Sequence, residues 1–207
     1  MKNLLSITVL AILVFILSCG EDHSNNGGEN TLTHLKLNQI KQYIPYAALT
    51  QNSKAIFVNA EGSIRELTIH REQFEVDKTL DGKNYTAEQD QFRYIDPNNS
   101  EYSIGVNAST SYQEGSVVQE LLNSSLYNTL NNGYIAMIMI TGDGNQSVGF
   151  FNSEIELNGQ MFRDVYSSLI IEDQGFVYNG LYYTKEQGVV GFLDSQNELW
   201  SLDRFEE

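Results

Sequence analysis

A chain of 207 residues with a formal net charge of −15 lacks the basic footprint that nucleic-acid binding needs, and the same excess of acid excludes electrostatic adhesion to anionic lipid. A single Cys excludes a disulfide framework and a thiolate metal site. Twelve Tyr and ten Phe against two Pro argue for ordered sheet over disorder.

The chain begins Met1-Lys2, continues as an apolar run from Leu4 to Leu17, and reaches the small Ser18 just before its lone Cys19. A basic start, an apolar stretch and a small residue before the cut describe a secretory signal peptide over residues 1–18. The run is at the short end for a membrane span and no basic stop-transfer flank follows it. Removing it leaves 189 of the 207 residues and, with the loss of Lys2, lowers the formal charge from −15 to −16. Residues 19–31 follow as a flexible Asn/Gly-rich tether, too polar to order itself.

Ile16-Leu17-Ser18-Cys19 resembles the lipobox of bacterial lipoproteins, in which the cysteine thiol is diacylated, the signal removed and the new amine acylated. That resemblance implies Cys19 as the lipid-attachment residue and a covalent anchor as the route to the membrane. Several acyl chains, at about 0.8 kcal/mol per buried methylene, hold a protein firmly where one chain does not. The bland alternative, an incidental cysteine, leaves an unpaired thiol in an oxidising compartment, a liability that lipidation removes. Glu21-Asp22 resembles the acidic export tether of Bacteroidota lipoproteins, which implies an outer-membrane location, on the periplasmic or the surface side.

Residues 32–207 read as one antiparallel β domain, as a sandwich or a curved half-barrel meander with at most one or two short helices. Leu32 to Tyr43 is a mixed segment with a turn of helix before Pro45. Lys54 to Asn59 and Ser63 to His70 flank Ala60-Glu61-Gly62 as a hairpin. Phe74 and Val76 alternate with Gln73, Glu75 and Asp77, and Tyr102, Ile104 and Val106 with polar neighbours. Ile155 and Leu157 alternate with Glu154, Glu156 and Asn158 in the same way, one face buried and one wet. Tyr134 to Ile140 is apolar on both faces, as a covered central strand is. Turn chemistry recurs at Asp81-Gly82, Asp96-Pro97-Asn98-Asn99, Asn132-Gly133 and Asn179-Gly180. Leu181 to Thr184, Val189 to Asp194 and Glu198 to Asp203 form a closing meander. One stretch reads differently. Val118, Leu122, Leu126 and Leu130 step by four, which predicts an amphipathic helix from Ser116, although Asn123-Ser124-Ser125 is a weak helix interior.

Tyr43-Ile44-Pro45-Tyr46 with Ile56-Phe57-Val58-Asn59, and Phe162-Arg163-Asp164-Val165-Tyr166 with the run from Leu181 to Phe192 and Glu198-Leu199-Trp200, resemble the two ends of small Bacteroidota lipoproteins of unknown function. The resemblance implies an antiparallel β domain and agrees with the anchor. It implies no chemistry.

Few residues point to a reaction. Asp143, Asn145, Ser147 and Glu154 fall at four ligand positions of a calcium loop, but Val148 stands where such a loop needs glycine, so a strand-connecting turn is the better reading. Asp96, Asn98 and Glu101 gather oxygens with no stronger pattern. His23, His34 and His70 lie in no nucleophile elbow, zinc motif or triad context. Glu154 and Glu156 share a strand face roughly 7 Å apart by strand geometry, which a wet face explains better than a glycosidase pair. Tyr178, Tyr182, Tyr183, Phe192 and Trp200 suit packing across strands, and less readily the stacking of a sugar ring. The expectation is a non-enzymatic binding or structural domain with no catalytic residue, metal or cofactor, and a protein or glycan partner. An apolar-ligand carrier lined by Met137 and Met139 is the first alternative, and a surface hydrolase the second.

Overall fold

The computed structural model describes residues 33–98, 102–113, 117–128, 133–144, 146–168, 171–173, 176–178, 180–194 and 196–207. The segment expected to be a signal peptide, Cys19 and the residues expected to form a tether lie outside them.

The chain enters through β1 (Thr33–Leu35) and a 3-10 turn at Gln39–Tyr43, in keeping with the turn of helix expected before Pro45. Next come β2 (Lys54–Val58) and β3 (Ile64–Leu80), joined where the Asn59 carboxamide oxygen accepts from the backbone N–H of Ser63 at 2.7 Å and of Glu61 at 3.1 Å. β4 (Lys83–Ile95) returns along β3 through Asp81-Gly82, whose φ angles of 52° and 73° are the left-handed pair of a two-residue hairpin turn. Then follow β5 (Tyr102–Gln113), β6 (Val117–Asn128), β7 (Gly133–Thr141) and β8 (Gln146–Val148). The second half holds β9 (Phe150–Leu157), β10 (Gln160–Ser167), β11 (Ile171–Asp173), β12 (Phe176–Tyr178), β13 (Leu181–Thr184), β14 (Gly188–Leu193) and β15 (Leu199–Glu206).

The fold is mainly β, a single antiparallel meander curled into a half-barrel rather than two stacked sheets. Thirteen strands share one sheet in the order β8-β7-β6-β5-β4-β3-β2-β15-β14-β13-β10-β9, with β1 alongside β4, while β11 and β12 pair by themselves. The first and last strands of the meander meet, because β15 pairs antiparallel with β2. The two edges of the sheet, β8 and β9, are successive pieces of chain separated only by Gly149, whose φ of 107° suits glycine alone. The sheet therefore curls until its ends lie one residue apart along the chain.

The segment expected to be helical is strand β6. It pairs with β5 across Leu122↔Ala108 and Leu126↔Ile104 and with β7 across Leu122↔Ile140. Leu122, Ser124 and Leu126 are fully buried, a period of two. A step of four fits both a strand face and a helix face, and pairing on both sides settles it in favour of the strand. β7 also departs from expectation. Its Ala136, Ile138 and Ile140 are buried, but it stands one strand in from the β8 edge rather than at the centre.

Inside the curl, Phe57, Ile69, Phe92, Tyr94, Val106, Ile138, Tyr183 and Val189 form one contiguous core. Leu37, Ile40, Ile44 and Leu49 join it from the segment before β2, so a strap of irregular chain fills part of what the sheet encloses.

Candidate functional site

Carboxylates hold that strap. Glu120 on β6 accepts through Oε2 from the backbone N–H of Asn38 at 2.8 Å and of Ile40 at 2.9 Å, satisfying donors at the start of the 3-10 turn. Glu88 on β4 accepts from Leu37 N–H at 2.9 Å and meets Lys41 Nζ at 3.4 Å. From the other wall, the fully buried Tyr183 donates its hydroxyl to the carbonyl of Tyr43 at 2.5 Å. The Tyr43 phenol sits where a side chain on Gly144 would be, 2.1 Å from an ideal Cβ position.

Beside the strap, the inward side of β3 and β4 turns from apolar to charged. Asp90 is completely buried and takes Arg71 Nε at 3.0 Å and Nη2 at 2.7 Å, a two-pronged guanidinium–carboxylate pair. The same guanidinium lies 4.7 Å from the Tyr46 ring centre and 5.3 Å from that of Phe92. Burial, reinforced by the Asp90 carboxylate, pushes the Tyr46 phenol well above its ordinary range. A second arginine is clasped at the other end of β3. Arg65 stands 4.1 Å over Trp200 and 3.3 Å from Asp194, whose Oδ2 also accepts the Trp200 indole N–H at 3.0 Å. Asp194 Oδ1 takes the N–H groups of Gln196 at 2.9 Å and Glu198 at 3.0 Å, so this carboxylate organises the β14–β15 turn.

The exposed chemistry is at the sheet edge. Phe150 and Phe151, consecutive on β9, are 56% and 53% exposed, where strand alternation would bury one of them. Phe151 stacks at a tilt on Tyr166 of β10, ring centres 5.2 Å apart. Farther along the same edge lie the exposed Glu154 and Glu156, with Arg163 of β10 reaching Glu154 at 3.3 Å. Asp164, between Arg163 and Val165 on β10, holds a left-handed φ of 50° within a strand.

The residues singled out from the sequence are dispersed. Cys19 and His23 lie outside the described residues, as do Asn145 and Glu101. Asp143 accepts from the Thr141 hydroxyl, and Glu154 of β9 pairs with Arg163 of β10, so these two ends of the calcium spacing have separate partners. Asp96 caps its own turn through Asn98 N–H at 2.8 Å. His34 stands 3.9 Å from Glu75, and His70 lies opposite Arg93 in the β3–β4 ladder. Tyr183, Phe192 and Trp200 are core residues, and Tyr182 packs partly buried against them. Met137 and Met139 are half-buried and alternate with the buried Ala136, Ile138 and Ile140, so they do not line the interior.

Sequence reasoning passed over Phe150 and Phe151, Arg71 with Asp90, and the strap-holding Glu88 and Glu120. Only the adjacent phenylalanines carried a signal, two apolar residues breaking an otherwise alternating strand. No family model, no curated protein and no solved structure matches the chain.

Proposed function

We propose that the chain is a lipid-anchored outer-membrane lipoprotein of the small Bacteroidota type, with a non-enzymatic binding or structural role. The anchor is Cys19, for the reason its surroundings give: an apolar run ending in Ile16-Leu17-Ser18 immediately before the only thiol. The observation that carries the binding role is the adjacent exposed pair Phe150 and Phe151 on an edge strand. Single exposed apolar residues are ordinary on a soluble domain, whereas neighbouring aromatics at a sheet edge are a surface suited to a partner.

The carboxylates described above have structural partners that account for them. Asp90 is matched by Arg71, Asp194 by Trp200, Arg65 and two backbone N–H groups, and Glu154 by Arg163.

Growth with labelled fatty acid, followed by membrane fractionation, tests the anchor. The wild-type chain takes up label and partitions with outer membrane, and Cys19→Ser loses both. Label that persists in the variant, or a wild-type chain that stays soluble and unlabelled, contradicts the proposal.

A further inference from the structure

The edge of β9 has a chemistry of its own. Among the described residues the strand is paired along one side only, with β10 from Leu157↔Gln160 to Phe150↔Ser167, and it ends the sheet. The turn joining them is Asn158-Gly159, with φ angles of 49° and 81°, a two-residue hairpin. In an antiparallel ladder, hydrogen-bonded pairs alternate with open ones, and the pair flanking such a turn is hydrogen-bonded. Counting back from Leu157, the backbone N–H and C=O groups of Glu156, Glu154 and Asn152 point away from β10. These are groups that an added strand satisfies.

Two further features say what kind of strand. Phe150 and Phe151 offer apolar contact at one end, and Glu154 and Glu156, both exposed, offer negative charge at the other. The chain as a whole carries −15, which repels a second copy of itself and attracts a basic segment. We propose that the free edge of β9 receives an extended segment of a basic partner protein by strand addition, its side chains on one face placing lysine or arginine by Glu154 and Glu156 and those on the other face placing apolar groups by Phe151. This rests on the binding reading above and names the class of partner.

The test uses the full-length protein and three synthetic peptides: one alternating lysine with valine, the same peptide with a central proline, and one alternating glutamate with valine. Backbone hydrogen exchange along β9 is followed during titration. The lysine–valine peptide slows exchange at Asn152, Glu154 and Glu156 selectively, and the other two peptides do not. Glu154→Lys combined with Glu156→Lys weakens the protection by about tenfold, and Glu154→Gln with Glu156→Gln weakens it less. Circular dichroism confirms that both variants fold, as substitution at exposed positions allows. Unchanged exchange at these amides overturns the proposal. Equal binding of the proline peptide also does, since charge alone then suffices, and so does equal binding of the glutamate peptide. Concentration-dependent dimerisation that protects the same amides overturns it in favour of a second copy. Failure here leaves the lipid anchor untouched, because labelling at Cys19 reads that claim separately.

Discussion

Arg71 donates to both oxygens of Asp90, at 3.0 and 2.7 Å, and the carboxylate it meets is wholly buried. The pair spans β3 and β4 diagonally, where the inward face of the hairpin changes from Leu67 and Ile69 to Gln73, Glu75 and Asp77. With Tyr46 and Phe92 against the guanidinium, it seals the apolar core at the place where charge begins.

Asp90→Asn removes the charge that Arg71 needs while keeping the volume. Breaking a buried pair on one side costs about 3 kcal/mol, the low end of the usual range because part of Arg71 faces solvent. Urea unfolding of the two proteins checks this, and a loss below about 0.5 kcal/mol contradicts a structural role for the pair.

The strap is tied to the β7–β8 turn through Tyr43 and Gly144. Gly144 has a φ of 84°, and an added Cβ falls 2.1 Å from the Tyr43 hydroxyl. Gly144→Ala therefore destabilises by about 2 kcal/mol through backbone strain and displacement of the phenol together. Adding Tyr43→Phe recovers part of the loss, since only the clash is relieved. A double-mutant cycle with no coupling between the two sites contradicts the contact.

Asn158 holds the β9–β10 turn and ties it to two other strands. Its Nδ2 donates to Val58 O at 3.0 Å and Leu199 O at 2.9 Å, on β2 and β15. Asn158→Gly keeps the left-handed turn and loses only the tie, whereas Asn158→Ala loses both. Thermal unfolding ranks them wild type, glycine, alanine, with the alanine variant lower in stability by about 2 kcal/mol. Equal stability of the two variants contradicts the role of turn geometry.

Alkaline pH unfolds the domain through its buried phenols. Burial raises Tyr183, Tyr94 and Tyr46 above the ordinary tyrosine range, for Tyr46 with help from Asp90. Below pH of about 10 these groups are neutral in folded and unfolded chains alike, and their contribution is fully present. Above it the unfolded chain loses protons that the folded chain keeps, so stability falls as pH rises. Tyrosinate absorbance at these positions then increases together with loss of sheet signal. Free titration of all tyrosines near pH 10 with the fold intact contradicts the burial.

The β class was legible because its signals are local. Asp81-Gly82 specifies a two-residue turn whatever surrounds it, and Ile104 and Val106 alternate with polar neighbours as a half-buried strand must. Asn158-Gly159 carries the same turn chemistry, hidden beside the alternation of Glu154 to Asn158. Leu122 and Leu126 misled because four residues complete two strand periods and just over one helical turn. The strap was out of reach for another reason. Its anchors, Glu88 and Glu120, lie 51 and 80 residues along the chain from Leu37 and Ile40, and nothing local marks a carboxylate as the cap of a distant turn. The edge of β9 became visible only once the order of strands showed which of them ends the sheet.

Intact-mass analysis of the membrane-extracted protein, beside its Cys19→Ser variant, tests the central claim most directly. The account predicts a chain that begins at Cys19 and carries added acyl mass, with both features lost in the variant. An unmodified chain, or one still bearing its first eighteen residues, contradicts the lipid anchor and with it the proposed outer-membrane location.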